Sequence, residues 1–387
     1  MDEEDSRALL RLILAGGPAA CRRRLLDAHA GPAAALAAGP PAWRAAGLDA
    51  NQIAALSRAG ADGLDRARTW LAAPGHHLIG WHDADYPELL RSIAAPPLAL
   101  FVEGDPALLW HPAVAVVGSR RPSAGGRDNA RDFAHALAAA GITVASGMAA
   151  GIDAAAHEAA LALAGGRTVA VQGTGPDVAY PYAHRDLRER IAARGAVVSE
   201  HPPGTGPRQS HFPSRNRILA GLALATVVVE AATRSGALIT ARQAAESGRE
   251  VFAVPGSIHN PMARGCHRLI RDGAGLVEDA GEILAAVGPL AAGLARALQQ
   301  RLGVPEAEPQ SVSILPETSG GGSADYKRLW EALGHDPTPM DQLIERSGLT
   351  AAEVSSMLLV MELDGRVTVE HGRYTRKRWL PSSTASP

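Results

Sequence analysis

Arginines and small residues meet at the end of one apolar run, where they could bind an anion. Residues 114–117 contain no polar side chain, a pattern typical of a strand buried on both faces. The loop that follows, residues 118–126, contains Arg120 and Arg121 and no acid. An alanine-rich segment with helical spacing comes next and ends at Gly141. A strand, a glycine-containing loop and a helix direct backbone N–H groups and a positive helix end toward a phosphate, so we interpret this loop as an anion site.

A second arginine-rich segment, residues 212–221, reads Phe-Pro-Ser-Arg-Asn-Arg-Ile-Leu-Ala-Gly. Arg215 and Arg217 fall in the first turn of its predicted helix, where positive charges oppose the helix dipole. That arrangement costs little if an anion binds there, so it suggests a function. Phe212 could stack on a base of single-stranded nucleic acid. Alternatively, Phe212 is a hydrophobic staple and the two arginines pair with internal carboxylates.

Three further loops of small residues follow predicted strands, namely residues 146–153, 173–175 and 233–236. Their glycines allow a ligand to approach the backbone closely. We expect Asp153 to have a structural role, as a helix cap, rather than to orient a ligand hydroxyl. Ser235 either helps to bind a phosphate or caps the next helix. The loop at 173–175 begins like a dinucleotide fingerprint but lacks its third glycine, so no cofactor is predicted.

The sequence offers no recognisable pair of groups for acid–base catalysis. It contains no Walker loop, no nucleophile elbow and no His or Cys cluster with metal-ligand spacing. His157 lies in an alanine-rich segment and is expected to be structural. We therefore predict a site that holds phosphates, with no catalytic residue and no metal ligand.

Composition limits how the chain can meet nucleic acid. The net charge is −2 over 387 residues, so binding would need a local concentration of arginine. Cys21 and Cys266 have neither metal nor disulfide spacing, which favours a reducing compartment. The acidic start after Met1 is unlike a signal peptide, and no apolar run has the length of a membrane span. We expect a cytoplasmic protein with no membrane partner.

Alternating strand and helix patterns from Val114 to about Val287 predict the fold class α/β. We expect an extended Rossmann-like parallel sheet, with edge strands near residues 78–81 and 96–102, whose loops converge at the carboxyl ends of the strands. A small N-terminal helical domain and a C-terminal winged-helix domain flank it. The predicted boundaries are 1–75 for the helical domain (SAM-like or helix-hairpin-helix-like), 76–290 for the extended Rossmann domain, 291–324 for a linker and 325–380 for the winged-helix-like domain.

The two flanking domains have different charge patterns. Near the N-terminus, the turn at residues 16–18 is followed by Arg22, Arg23 and Arg24. This pattern either contacts DNA or belongs to an ordinary helical bundle with a solvated arginine run. In the C-terminal domain, the predicted reading helix at residues 350–363 carries no Arg or Lys. It therefore favours packing or partner docking over duplex DNA binding.

In their order and spacing, these motifs resemble the DprA/Smf family of bacterial DNA-processing proteins. The matching segments are residues 117–120, 146–157, 212–221, 229–231, 235–240 and 248–256. The resemblance implies an extended Rossmann domain that binds single-stranded DNA in a basic pocket. It also implies that this domain forms a homodimer and helps to load the RecA recombinase during natural transformation.

Carried over by motif, Arg120 would clamp a phosphate and Phe212 would stack on a base, while Arg215, Asn216 and Arg217 would shape the pocket. The full predicted DNA-binding set is Gly118, Ser119, Arg120, Ser146, Gly147, Gly173, Arg208, Phe212, Arg215, Asn216, Arg217, Ser235 and Gly236. The sequence departs from the family pattern at two places. Gln209 and Ser210 stand where many relatives carry a lysine, with Arg208 as a substitute, and Ala223 stands where a serine is common.

Two functional hypotheses from different classes remain. The first is a non-enzymatic mediator that binds and protects incoming single-stranded DNA and loads RecA. The second is a nucleotide-binding hydrolase of the lysine-decarboxylase-like group, acting on a nucleoside monophosphate. The absence of an acid–base pair and the Phe-Pro-Ser-Arg-Asn-Arg sequence favour the first. An adaptor role for the winged helix is compatible with it.

Overall fold

The computed structural model describes residues 2–58, 62–302, 324–333, 337–363, 366–370 and 372–376. The chain forms two compact units, Met1–Ala307 and Glu308–Pro387. Within the described parts of the chain, none of the helices combines the length and apolar character that a membrane span requires.

A nine-stranded sheet forms the centre of the first unit. Its strands are β1 His76–Gly80, β2 Ala99–Gly104, β3 Ala113–Val117, β4 Thr143–Ser146, β5 Thr168–Gln172, β6 Ala196–Ser199, β7 Ala225–Val228, β8 Glu250–Ala253 and β9 Gly275–Leu276. In space they follow the order β1-β2-β6-β5-β4-β3-β7-β8-β9. The seven strands β6-β5-β4-β3-β7-β8-β9 are parallel to one another, whereas β1 and β2 form an antiparallel edge. The predicted fold class and the predicted edge strands are confirmed.

The first unit also contains fourteen helices among its described residues. They are α1 Glu3–Leu14, α2 Ala19–Asp27, α3 Pro32–Ala37, α4 Gly39–Ala45, α5 Ala50–Ser57, α6 Asp62–Leu71, α7 Glu88–Arg91, α8 Ala124–Ala139, α9 Ile152–Ala162, α10 Arg185–Arg194, α11 His211–Leu222, α12 Ala237–Glu246, α13 Arg264–Arg271 and α14 Ala280–Leu302. Short 3-10 turns occur at Pro106–Leu109 and Tyr182–His184.

Helices cover both faces of the sheet. Val114 and Val116 pack with α8, α9 and α14, whereas Ala115 and Val117 pack with α11, α12 and α13. Side chains alternate between faces along a strand, so a strand covered on both sides must be apolar throughout. This explains why the run at residues 114–117 has no polar interruption.

The topology brings the predicted loops to one edge. From β3 the chain moves outward through β4 and β5 to β6, then returns to β7 on the other side of β3. Loops after β3 and β7 therefore diverge at the switch point, where open α/β sheets bind ligands. We call the carboxyl ends of β3 to β7, with the loops that follow them, the rim.

The three arginines of the N-terminal run donate hydrogen bonds to backbone carbonyls, and they range from the buried Arg22 to the exposed Arg24. Arg22 is buried, and its Nη1 donates to the carbonyl of Leu12 at 2.7 Å. Arg23 donates to the carbonyl of Pro96, and Arg24 donates to the C-cap carbonyl of α4. The guanidinium groups thus satisfy carbonyls at helix ends and loops. Arg22 and Arg23 thus differ from a solvated run, because they donate to backbone carbonyls distant in the chain. Contact between this segment and DNA stays a prediction.

The first part of the predicted linker is helical. Helix α14 continues through Leu302, so residues 291–302 do not have the predicted linker character. Alanine, leucine and glutamine, which make up most of this segment, are good helix formers. Their helix propensity outweighs the unfavourable propensity of Gly288, just before the segment, and of Gly293, within it. The remaining linker positions, 303–323, lie outside the described residues.

The second unit is a winged helix, as predicted. Its elements are α15 Ala324–Leu333, β10 Thr338–Pro339, α16 Met340–Ser347, α17 Ala351–Leu363, β11 Val367–Glu370 and β12 Arg373–Arg376. The strands form a sheet of order β10-β12-β11. Thr350 and Glu353 make the capping box at the start of α17. His371, between β11 and β12, lies outside the described residues.

Candidate nucleic-acid interface

An arginine and two aromatic rings lie together on the rim. The guanidinium carbon of Arg120 lies 5.9 Å from the centroid of the Phe212 ring. The Tyr180 ring lies 5.0 Å from the same ring, tilted by 36°. Arg120 is exposed, Phe212 is half-buried and Tyr180 is 42% exposed. This arrangement presents a π surface for a base beside a cation for a phosphate.

The Phe212 ring is held by the loop after β5. Helix α11 begins at His211, so Phe212 occupies its first turn. A Cβ atom added to Gly173 would lie 3.1 Å from Cδ1 of Phe212 and 3.3 Å from the carbonyl oxygen of His211. A Cβ atom at position 173 would require the Phe212 ring or the first turn of α11 to shift by a few tenths of an ångström. Gly173 therefore allows the close approach that sets the position of the ring.

Arg215 points into the protein. Its Nη1 donates to the carbonyl of Gly147 at 2.6 Å and to the carbonyl of Val171. The side chain is buried, and burial lowers its pKa to about 10, with the charge of Asp153 acting in the opposite direction. Arg215 thereby ties α11 to the loops after β4 and β5. Arg215 is therefore a buried residue that positions the loops of the site.

Asp153 is the carboxylate that faces Arg215. It accepts hydrogen bonds from the backbone N–H of Gly147 at 3.2 Å and of Ala149 at 3.3 Å. Burial raises its pKa, while Arg215 and these two N–H groups act against that shift. Gly151, not Asp153, is the N-cap of α9. Asp153 is therefore structural, as expected, but it holds the β4 loop rather than capping its helix.

Arg217 also pairs with an internal acid. Its Nη2 forms an ion pair with Glu200, and the two side chains are only 19% and 15% exposed. Glu200 is the nearest acid on the N-terminal side of α11 in the sequence. Of the two arginines, Arg217 therefore pairs with an internal carboxylate, as the alternative expected, whereas Arg215 donates to backbone carbonyls. Asn216 reaches the next helix instead, with its Nδ2 3.5 Å from the carbonyl oxygen of Gly236.

A carboxylate already occupies the start of α8. Glu230, at the end of β7, accepts from the backbone N–H of Ser123 at 2.8 Å and from its hydroxyl at 2.6 Å. It also accepts from Asn260 at 2.9 Å. A Cβ atom on Gly126 would lie 2.3 Å from the carboxyl carbon of Glu230, so this carboxylate lies against the first turn. The first turn of α8 therefore faces a protein carboxylate, and the exposed guanidinium groups of Arg120 and Arg121 are cations of this loop. Anion binding by the loop stays a prediction.

The remaining predicted residues divide between buried and exposed positions. Ser119 and Ser146 are buried, and the Ser146 hydroxyl donates to the carbonyl of Val116 at 2.7 Å. These two serines, with Gly118 and Gly147, shape the loops around Arg120. Other predicted residues lie toward solvent, namely Arg208, Gly236 and the half-buried Ser235. The Ser235 hydroxyl accepts from the N–H of Ala237 at 3.3 Å, although the N-cap of α12 is Gly236 rather than Ser235.

Sequence reasoning missed three contributors to the rim. Tyr180 belongs to an aromatic Tyr-Pro-Tyr sequence directly after the β5 loop, and that position is the signal that could have revealed it. Glu230 is the acid that follows β7 at the switch point, and a charged residue so close to a buried apolar strand needs a hydrogen-bond or ion-pair partner. Glu200 holds the corresponding position after β6.

Comparison with known proteins assigns this rim to a family. The model of the DNA recombination-mediator protein A family matches residues 77–288, more than half of the chain. This chain belongs to that family. The DprA winged helix domain matches residues 305–373. The predicted resemblance to DprA/Smf proteins is thereby confirmed.

Individual relatives support the same family assignment. Protein Smf of Escherichia coli is 40% identical over 317 residues, which cover 81% of each chain. The DNA processing protein DprA of Streptococcus pneumoniae is 47% identical over 203 residues, covering 52% of this chain and 71% of its own. The X-ray structure of DprA from Streptococcus pneumoniae matches with a TM-score of 0.64 and 37% identity, covering 71% of this chain and 95% of the other. The sheet and rim therefore lie in the part shared with DNA-processing proteins.

Acidification is expected to destabilise this family member through a buried histidine. His157 is fully buried against the hydroxyl of Thr168, and burial lowers its pKa to about 3. An unfolded histidine binds a proton near pH 6.5, so the full stability is present above that pH and falls as the pH decreases toward 3. Between pH 7 and pH 4.5 we expect a loss of about 2–3 kcal/mol from His157. Urea unfolding at both pH values measures it.

The control for this pH effect is His157→Gln, whose amide does not titrate. Its unfolding free energy should fall less steeply with acid than that of the unaltered protein. Equal slopes would show that His157 is not responsible. His201, whose pKa burial lowers to about 4, would then be the next histidine to replace.

Proposed function

We propose that this protein binds single-stranded DNA at the rim and delivers it to the RecA recombinase, without catalysing a reaction itself. The observation that carries the proposal is the exposed group formed by Arg120, Phe212 and Tyr180. Aromatic rings accept any base by stacking, and a guanidinium binds the adjacent phosphate, so binding would not depend on base sequence. Membership of a family of DNA recombination mediators supports this function.

The arrangement of acids disfavours the hydrolase alternative. A hydrolase at the rim would need a carboxylate or histidine free to activate water. Glu230, Asp153 and Glu200 are instead each held by hydrogen bonds or ion pairs to protein groups. Their side chains organise the loops around Arg120. The rim is therefore better suited to holding a strand than to cleaving a nucleotide.

Fluorescence anisotropy of a labelled oligothymidine, across a series of salt concentrations, tests the proposed binding. Duplex DNA and AMP serve as competitors. We expect tight binding that weakens steeply with salt, because phosphate contacts release counterions, and little competition by either competitor. Binding of AMP together with indifference to oligothymidine would favour the small-nucleotide enzyme.

Delivery to RecA is tested separately. The proposal includes protection of incoming single strands in the cytoplasm and loading of RecA during natural transformation. Oligothymidine coated with a single-strand-binding protein limits RecA assembly, so RecA ATP hydrolysis on this substrate should accelerate when the protein is added. An unchanged rate, with DNA binding intact, would leave a DNA-binding protein that does not load RecA.

We further propose that two copies pair through the first unit. Strand β9 ends the sheet, and its Leu276 is 46% exposed. An open edge strand with an exposed leucine is a template for pairing with another chain. Leu276→Arg is expected to weaken the dimer by about 2 kcal/mol or more, the scale of an interface hot spot. Light scattering during size-exclusion chromatography measures the change in mass.

The matched control for the dimer is Leu290→Arg, which alters an exposed leucine on α14. It should leave the mass unchanged. A Leu276→Arg protein that stays dimeric would move the interface away from β9.

A further inference from the structure

A cleft rich in arginine adjoins the rim. It has a volume of about 520 Å³ and lies between the N-terminal halves of α8 and α9. Its charged lining residues are Arg120, Arg121, Arg127, Arg131 and Glu158. The remaining lining is small, with Gly151 and two alanines of α9 among it, and no aromatic residue lines the cleft. The cleft is open to solvent along its length, so a chain can enter and leave it.

The guanidinium groups of two of these arginines have no partner among the described residues. The side chains of Arg121 and Arg127 are exposed and form no ion pair or hydrogen bond with the described residues. Arg131 pairs with Asp128 at 3.0 Å, but both side chains are exposed, and such pairs are weak. Four arginines therefore face a single lining acid, Glu158, which is itself exposed. In a chain of net charge −2, this is a marked local excess of positive charge.

Arg120 connects the cleft to the aromatic group. It lines the cleft, and its guanidinium carbon also lies 5.9 Å from the Phe212 ring. A strand whose base stacks on Phe212 thus has its backbone next to Arg120, at the entrance of the cleft. On one side of Arg120 the surface offers aromatic rings on which bases can stack, and on the other side it offers guanidinium groups that can bind phosphates.

We propose that the cleft between α8 and α9 binds the phosphate backbone of the single-stranded DNA beyond the nucleotides held at Phe212. This proposal rests on the proposed function and extends its site along the strand. Arg121, Arg127 and Arg131 contact successive phosphates, while the bases, which meet no aromatic ring here, face solvent. The cleft therefore adds affinity and salt dependence without adding base preference.

Oligothymidines of graded length, from about 4 to about 16 nucleotides, separate the cleft from the rim, since single-strand sites span this range. For the unaltered protein, affinity should increase once the oligomer is long enough to reach the cleft. The combined variant Arg121→Ala/Arg127→Ala should bind the shortest oligomer normally and the longest about fivefold or more weakly, as expected for partly exposed charge-assisted contacts. On the longest oligomer its slope of log affinity against log salt should fall by about 0.7 for each lost phosphate contact.

Two control variants complete the length series. Arg127→Lys keeps the charge and should retain most of the gain with length. Arg242→Ala removes an exposed arginine of α12, on the other face of the sheet, and should change nothing at any length. Thermal unfolding of each variant confirms that it folds, as expected for exposed positions.

The outcomes are distinct. A loss confined to long oligomers supports the cleft. An equal loss at every length would place these arginines in the primary site and overturn the proposal, as would no loss at any length. If the unaltered protein binds no oligothymidine, the proposed function itself fails, and the cleft proposal falls with it.

Discussion

Phe212→Ala is expected to weaken binding of a short oligothymidine by about 1–3 kcal/mol, the contribution of one base stacked on an aromatic ring. The ring contributes no charge, so the salt dependence of binding should stay as it was. Arg120→Ala should weaken binding to a similar extent, but it should also lower the salt slope by about 0.7, because one phosphate contact is lost. Anisotropy at several salt concentrations distinguishes these two effects.

The two substitutions should not be additive. Arg120 lies over the Phe212 ring, so each side chain helps to position the other. The free-energy effects of substituting two residues in contact are generally not independent. The double variant is therefore expected to lose less than the sum of the single losses. Phe212→Tyr, which keeps the aromatic surface, is the matched control and should bind nearly normally. A Phe212→Ala protein with unaltered affinity and an intact fold would refute stacking at this position.

Arg215→Met is expected to destabilise the first unit by about 3–5 kcal/mol, the scale of removing one buried charge and leaving a nearby opposite charge uncompensated. Asp153 would remain buried without its opposite charge, and the carbonyls of Gly147 and Val171 would lose their donor. The loops that position Phe212 should loosen as a result, so DNA affinity should fall as well. Urea unfolding measures the loss of stability.

Two comparisons make the Arg215 experiment specific. Adding Asp153→Asn to Arg215→Met removes the stranded charge and should restore part of the lost stability. Arg190→Met, in an exposed pair with Asp186, should change stability by about 0.5 kcal/mol or less. A loss for Arg215→Met no larger than that for Arg190→Met would show that Arg215 does not hold the rim together.

The sequence was sufficient to predict the sheet and the loops of the rim, because both follow from local patterns. Apolar runs mark strands covered on both faces, and glycine or arginine after each run marks the carboxyl edge. The exposed position of Arg120 beside Phe212 agrees with the roles expected for them. Their contact with DNA stays a prediction.

The sequence was insufficient where a side chain finds its partner far along the chain. Glu230 meets Ser123 across the switch point, more than a hundred residues away, and so occupies the end of α8 that was expected to face a phosphate. Arg215 meets the carbonyl of Gly147 in another loop and turns inward. Charge spacing along the sequence shows that an arginine lacks a neighbouring acid, but it does not show whether the fold supplies a distant acceptor.

The most direct test of the central claim is photo-crosslinking of an oligothymidine that carries one 5-iodouracil, with the linked peptides identified by mass spectrometry. Stacking at the rim predicts that the linked residues are Phe212 or Tyr180, and that Phe212→Ala removes most of the first product. Crosslinks confined to helices α1–α6 or to the winged helix would contradict the account, because they would place the bases away from the carboxyl ends of the strands.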